Sequence, residues 1–280
     1  MTNSVTSAFQ EPAPITENPL QIVSAGVAAS EDAPFVPSDY RFLPGDYVYL
    51  QFQISGYGAI TNENNDVRKI SLSYEIVPQD DKDVPLTTAI SGAIKEDLGA
   101  EDKNWMPKRR ASFLLPSFVA AGNYHVRFTV KDLVKKTSST RDIPFRVGGT
   151  VVIPSSGLMV QDFQFLRKED DADVLEIPAY SPGDAVYARF MMTGFRLAAG
   201  NEYHLSYSLT VTRPDGKPYL NQQSAAELSN KSFYPVSFVP GNISVTTSRT
   251  SAKGKYVLQL TVRDIMGAQS YQLKKTFTIE

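Results

Sequence analysis

Short runs of alternating apolar and polar residues follow one another through most of the chain. In YVYLQFQIS, which begins at Tyr47, every second residue is apolar: Val48, Leu50, Phe52 and Ile54. Successive side chains of a β-strand point to opposite faces of a sheet, so this run predicts a strand with one buried and one solvated face. Turn residues separate such runs at the spacing of about 8 to 12 residues that is typical of β-sandwiches and barrels.

The alternating pattern is written twice along the chain. PGDYVYLQFQISGY, from Pro44, is matched by PGDAVYARFMMTGF, from Pro182, at an offset of 182 − 44 = 138 residues. AAGNYHVRFTVKD, from Ala120, is matched by AKGKYVLQLTVRD, from Ala252, at an offset of 252 − 120 = 132 residues. Matches that recur in the same order indicate an internal duplication. We therefore predict a tail over 1–19 and two domains over 20–149 and 150–280, joined by a short linker that restricts their relative motion.

Each copy contains about seven short strand-like runs and little helix signal, which is the pattern of an antiparallel sandwich. The predicted fold is all-β, with two tandem immunoglobulin-like antiparallel β-sandwich domains after a flexible N-terminal tail. Segments 87–102 and 221–230 are each compatible with one helical turn. PDGKP, at 214–218, predicts a tight hairpin turn of a primed type, because Asp-Gly accepts positive φ angles.

Composition narrows the function classes. The formal net charge of −2 and the scattered basic residues give no footprint for a nucleic-acid backbone. The absence of cysteine excludes disulfides, thiol nucleophiles and thiolate metal sites. No run reaches the roughly 18 apolar residues that a membrane-spanning helix needs. The first residues lack the features of a secretory signal, so we expect either a cytoplasmic protein or one whose leader is absent from this sequence.

The two segments that begin at Gly122 and Gly254 resemble the last two strands of bacterial immunoglobulin-like modules, including the polycystic-kidney-disease type. The resemblance implies a tyrosine corner, in which Tyr124 and Tyr256 bond back to the preceding loop. Val126 takes the position where an antibody domain carries its second cysteine. Such modules are spacers, adhesive modules or glycan-binding accessories of secreted or cell-surface bacterial proteins, which is an analogy of fold.

Candidate chemistry is sparse. His125 and His204 alternate with inward positions of their strands, so both are expected on outer faces, and they are not equivalent in the two copies. The acidic clusters at 79–83 and 168–173 suggest either solvated turns or calcium ligands. Asp132 and Asp264, which end equivalent strands, are expected to bond their own turns. We predict no catalytic residue, no cofactor and no metal site.

Aromatic residues are the best candidates for contacts with a ligand or a protein partner. Trp105, the only tryptophan, lies in the polar segment EDKNWMPKRR and is the one predicted ligand-binding residue. It either stacks on a sugar ring or docks a protein, or else it closes the open end of the sandwich. Tyr47 and Tyr49 fall on the solvated face of their strand, where a neighbouring chain would bury them.

These patterns predict a non-enzymatic spacer or protein-interaction module of an extracytoplasmic bacterial protein or assembly. Its partner would be another protein or a glycan, with no nucleic acid and no membrane span. The alternative is a carbohydrate-binding module that uses exposed aromatic residues. The oligomeric state is left open by the sequence.

Overall fold

The computed structural model describes residues 18–62, 67–102 and 104–280, and all of their regular secondary structure is β. Most of the predicted tail, 1–19, lies outside these residues. The first half carries the strands β1 (Gln21–Ala28), β2 (Arg41–Phe42), β3 (Tyr47–Ser55), β4 (Ile60–Asn62), β5 (Val67–Asp80), β6 (Ile90–Leu98), β7 (Lys108–Leu114), β8 (Gly122–Asp132) and β9 (Thr137–Val147). The second half carries β10 (Met159–Leu166), β11 (Ala179–Tyr180), β12 (Ala185–Thr193), β13 (Glu202–Thr212), β14 (Pro218–Lys231), β15 (Phe238–Thr246), β16 (Gly254–Asp264) and β17 (Gln269–Ile279).

Strands β1 to β9 form two facing sheets, called here the first sandwich. One sheet has the order β1-β3-β7, and the other has the order β2-β9-β8-β5, with β4 and β6 also paired to β5. All of these pairings are antiparallel except that of β2 with β9. The first sandwich thus has a three-stranded sheet that faces a larger sheet with three antiparallel strands at its centre. This is an immunoglobulin-like arrangement.

Strands β10 to β17 form the second sandwich with the same order. Its sheets are β10-β12-β15 and β11-β17-β16-β13-β14, and the short β11 again pairs parallel with the last strand. The recurrence of the order supports our proposal that the chain is a duplication of one domain, with boundaries at 20–149 and 150–280.

Each sandwich buries its own hydrophobic core between its two sheets. The first core contains the inward residues of β3 that the alternation predicted, and the second contains their counterparts on β12: Val186, Ala188, Phe190 and Met192. Stacked aromatic rings close each core, Tyr124 on Phe145 in the first and Tyr256 on Phe277 in the second. The cores belong to separate clusters, so each sandwich has its own source of hydrophobic stabilisation.

Three local predictions are wrong. Residues 90–98 of segment 87–102 and all of segment 221–230 lie in strands β6 and β14 instead of helical turns, because each pairs along a neighbouring strand. The turn at 214–218 joins β13 and β14 in the predicted hairpin, but it is not of a primed type, since Gly216 has a φ of 80° whereas Asp215 does not have a positive φ. The amide of Gly216 donates a hydrogen bond to the carbonyl of Arg213, and Gly216, with its positive φ, takes the bulge position of the hairpin.

Candidate functional site

The two equivalent aspartates at the ends of β8 and β16 are buried and hold backbone amides. Asp132 accepts hydrogen bonds from the amides of Gly58, Val134 and Lys135. Its own turn supplies two of these donors, and the loop after β3 supplies the third. The carboxylate therefore ties the hairpin of one sheet to a loop from the other.

Asp264 repeats this arrangement in the second sandwich. It accepts from the amides of Arg196 and Gly267 at 2.8 and 2.9 Å, and from the side-chain amide of Gln269 at 3.2 Å. The turn-stabilising interpretation is thus confirmed for both aspartates. Because their oxygens are occupied by N–H donors, these carboxylates are structural anchors.

The predicted tyrosine corners are present in both sandwiches. The hydroxyl of Tyr124 donates to the carbonyl of Ala120 at 2.7 Å, and that of Tyr256 donates to the carbonyl of Ala252 at 2.9 Å. Each bond spans four residues and fixes the start of the penultimate strand. Both tyrosines are structural.

The two histidines lie in different surroundings. His125 Nε2 is 3.2 Å from the Asp83 carboxylate but lacks hydrogen-bond alignment with it. His204 Nε2 lies 2.6 Å from Glu227 Oε1 on an exposed face of the second sandwich. In the part of the chain that the structure describes, neither histidine forms a catalytic constellation, and no group of three or more His, Asp or Glu residues could hold a metal ion.

The acidic cluster at 79–83 is only partly a solvated turn. One oxygen of Asp80 accepts from the amides of Lys82 and Val84, as in a turn. The other oxygen accepts from the hydroxyl of Tyr234, in the second sandwich, at 3.0 Å. Asp80 is buried as a result, so the solvated-turn interpretation is wrong for this residue. In the cluster at 168–173, Asp171 accepts from the amide of Lys168 in an exposed turn.

Trp105 is half-buried and packs against the first core. Its carbonyl accepts a hydrogen bond from the hydroxyl of Tyr57 at 2.5 Å. This is the geometry expected of a side chain that closes the end of a sandwich. Ligand binding by Trp105 stays a prediction.

Tyr47 and Tyr49 lie on the outer face of β3, as the alternation predicts. Tyr47 is 56% exposed and is paired in register with Leu114, which is also exposed. The rings of Tyr47 and Tyr49 are 6.3 Å apart and tilted by 41°, so they do not form the flat platform on which a sugar ring stacks.

The sandwiches meet through reciprocal aromatic contacts, and we call this region the junction: Phe118, Asp80, Tyr234, Phe238 and the linker 148–157. Tyr234 belongs to the second sandwich but packs against the first core, whereas Phe118 belongs to the first and packs against the second core. The rings of Phe118 and Phe238 meet edge to face, with centroids 6.0 Å apart. Each sandwich therefore packs one half-buried aromatic side chain against the core of the other.

Hydrogen bonds fix the linker at both ends of the junction. On the first sandwich, the amide of Ala121 donates to the carbonyl of Thr150 at 2.8 Å. On the second, the side-chain amide of buried Gln161 both donates to and accepts from the backbone of Ile153, at 2.7 and 3.0 Å. The Gln161 amide also donates to the hydroxyl of Thr193. The linker is thus hydrogen-bonded to both sandwiches.

Two cavities flank the junction. A cleft of about 460 Å³ lies between the sandwiches and is lined by Asp80, Tyr124 and Tyr234, among others. Burial raises the pKa of Tyr124 to about 12. Burial, reinforced by Tyr124 and Asp80, also raises the pKa of Tyr234. The phenols in the cleft are thus neutral hydrogen-bond donors.

The second cavity is a groove of about 790 Å³ that runs between the linker and the outer face of β10, β12 and β15.

The sequence pointed to the linker but not to the side-chain contacts of the junction. Tyr234 follows a strand without any periodic pattern, and Asp80 is one of several carboxylates in an acidic run. The contact joins residues 154 positions apart, and a single sequence carries no signal for such a distant pair. The described part of the chain also contains no helix that is long and apolar enough to cross a membrane.

Comparison with known proteins gives little to build on. No protein-family description and no curated protein matches the chain. Among solved structures, the C-terminal domain of the antigen I/II polypeptide BspA of Streptococcus agalactiae aligns at 10% identity and a TM-score of 0.32, over 91% of this chain and 99% of that one. The C-terminal domain of the Streptococcus pyogenes antigen I/II-family protein AspA aligns at 11% identity and a TM-score of 0.30, over 91% and 98%.

A further alignment covers 94% of this chain but 20% of dimeric latent PorU from Porphyromonas gingivalis, at 13% identity and a TM-score of 0.26. Superpositions as loose as these do not bear on function. The fold assignment rests on the chain's own sheets and cores.

Proposed function

We propose that the chain is a non-enzymatic structural spacer or protein-interaction module, made of two immunoglobulin-like sandwiches that act as one stiff unit. The observation that carries the proposal is the reciprocal packing at the junction, where Tyr234 and Phe118 each pack against the core of the opposite sandwich. A spacer must transmit position from one end to the other, and direct contact between sandwiches supplies that property.

The distribution of polar groups supports a structural role. The most buried carboxylates, Asp132 and Asp264, are saturated by amide donors, and Asp80 is shared between its turn and Tyr234. The polar groups described above are therefore used to fix loops and the junction. An extracytoplasmic bacterial setting is part of the proposal and rests on the resemblance of the two closing hairpins to bacterial immunoglobulin-like modules.

Carbohydrate binding remains the alternative, with Trp105 as its predicted contact. The packing of Trp105 against the first core makes this the weaker proposal. A melting temperature that rises with a soluble glycan, and does so less in Trp105→Ala, would favour it over the spacer.

The spacer proposal predicts that a change in one sandwich alters the stability of the other. Trp105, the only tryptophan, reports by fluorescence on the first sandwich alone. Tyr234→Ala removes a contact made from the second sandwich, so the free energy of unfolding monitored at Trp105 should fall by about 2 kcal/mol in urea titrations of the full chain.

Phe233→Ala is the matched control, because this neighbouring ring is 56% exposed and should leave the Trp105 transition unchanged. If Tyr234→Ala also left that transition unchanged, the two sandwiches would not influence each other's stability and the spacer proposal would be wrong.

A further inference from the structure

The last strand of the larger sheet of the second sandwich has an open edge. β14 is 14 residues long and pairs with β13. Among the described residues no strand pairs with its other side. In an antiparallel ladder, alternate residues direct their N–H and C=O groups away from the neighbour, so this edge presents unpaired donors and acceptors.

The corresponding edge of the first sandwich is better protected. β6 is nine residues long and carries three successive charges, Lys95, Glu96 and Asp97. Runs of charge on a short edge strand discourage pairing with other chains. β14 has only two charged residues, Glu227 and Lys231, and no proline after its first position.

The C-terminal part of β14 is regular enough to pair with a further strand. An irregularity interrupts the ladder where Tyr207 and Leu209 face β14. Beyond it, residues 226–231 keep an unbroken register with β13. Residues 226–231 therefore form a six-residue stretch of regular, open sheet edge.

The charges on this stretch are self-complementary. Glu227 and Lys231 are four residues apart and so lie on the same face of the strand. If two copies of the stretch paired antiparallel about Ser229, Glu227 of each copy would lie directly opposite Lys231 of the other. Within the described part of one chain, Lys231 has no ion-pair partner, and Glu227 contacts His204 at 2.6 Å.

We propose that the open edge of β14 binds the same edge of a second copy of this chain, antiparallel about Ser229, so that the sheet continues across a symmetric homodimer. The inference rests on the proposed function, since it names the surface by which the interaction module meets a partner. Pairing through one short edge buries little area, so the association should be weak and concentration-dependent.

Sedimentation velocity of the full chain over a concentration series tests the register directly. Lys231→Glu places two glutamates opposite one another, and Glu227→Lys places two lysines opposite one another. Either variant should weaken dimerisation about tenfold or more, because two attractive pairs become two repulsive pairs. An equimolar mixture of the two variants should form a heterodimer, since every facing pair is then of opposite charge.

Lys274→Glu is the matched control, as an exposed lysine on β17 of the same sheet, and it should dimerise like the natural chain. A natural chain that stays monomeric throughout the series would overturn the inference, as would single charge reversals that dimerise normally. Neither result would touch the Tyr234→Ala experiment, so failure of the dimer is distinguishable from failure of the spacer.

Discussion

Asp132 and Asp264 are almost completely buried carboxylates, and both accept hydrogen bonds from amide N–H groups. Burial of an ion is costly unless hydrogen bonds replace its water, and three donors do so at each site. Conversion of such a carboxylate to an amide replaces one acceptor oxygen with an NH2 group. That group then faces the N–H donors that the oxygen had accepted.

Asp264→Asn should lower the free energy of unfolding by roughly 2 to 3 kcal/mol, because one acceptor oxygen becomes an NH2 donor that faces a backbone amide. Urea titration followed by circular dichroism measures the change. Asp215→Asn is the control, since this exposed residue accepts one hydrogen bond from the described residues, that of the Lys217 amide, and the change should cost less than about 0.5 kcal/mol. Equal effects in the two variants would contradict the anchoring role.

Tyr180 provides a pH-dependent test at a single residue. Its hydroxyl donates to the carbonyl of Leu166 at 2.9 Å, and burial raises its pKa from 10.0 to about 12. As the pH passes 10.0, the unfolded phenol ionises while the folded one stays neutral, so stability falls until the pH reaches about 12.

Tyr180→Phe should reduce the loss of stability between about pH 8 and pH 11, measured as the difference between urea midpoints at the two pH values. Phenylalanine already occupies the equivalent position of the first sandwich, Phe42, so the variant is expected to fold. A loss as large as that of the natural chain would show that Tyr180 is not a source of the alkaline sensitivity.

Residues that act within a hairpin were predictable from the sequence. The tyrosine corners were implied by the resemblance of the Gly-x-Tyr strands to bacterial immunoglobulin-like modules, and the aspartate turns followed from equivalent positions at strand ends. Tyr234 was not predictable, because its role depends on a contact with a distant segment. Trp105 was recognised as unusual, but its half-buried position depends on packing that periodicity does not report.

At the scale of the element, strands were predictable where one face is buried. β3 and β8 alternate as the sequence predicts. The edge strands β6 and β14 were mistaken for segments with helical turns, because they are rich in residues that favour helices and lack strict alternation. Pairing with β5 and β13 overrides that local preference.

Glycine positions that join elements should tolerate little change. Gly194, after β12, has a φ of 69°, and a Cβ there would lie 2.0 Å from the carbonyl oxygen of Gly157. Gly194→Ala should cost more than about 3 kcal/mol, because backbone must move to relieve the clash. Thermal and urea unfolding measure the loss.

Gly216→Ala separates strain from clash. Gly216 has a φ of 80°, but a Cβ added to this residue would meet no atom within 4 Å, so only conformational strain of about 1 to 2 kcal/mol is expected. If the two variants were equally unstable, the close approach at Gly194 would not be the cause.

At the scale of the whole molecule, the two sandwiches form a continuous structure through their junction. The sequence predicted a short linker and restricted motion, which stays a prediction; the hydrogen-bonded linker and the aromatic contacts across the junction support it. A module of this kind would set the distance between whatever its two ends contact.

The most direct test of this account is a pulsed dipolar distance between spin labels on Ser138→Cys and Ser270→Cys, exposed positions on equivalent strands of the two sandwiches. The absence of native cysteine makes the labelling specific, and dilution with unlabelled chain removes distances between copies. We predict one narrow distance distribution that broadens in Tyr234→Ala. A broad distribution in the natural chain would contradict a stiff two-sandwich spacer.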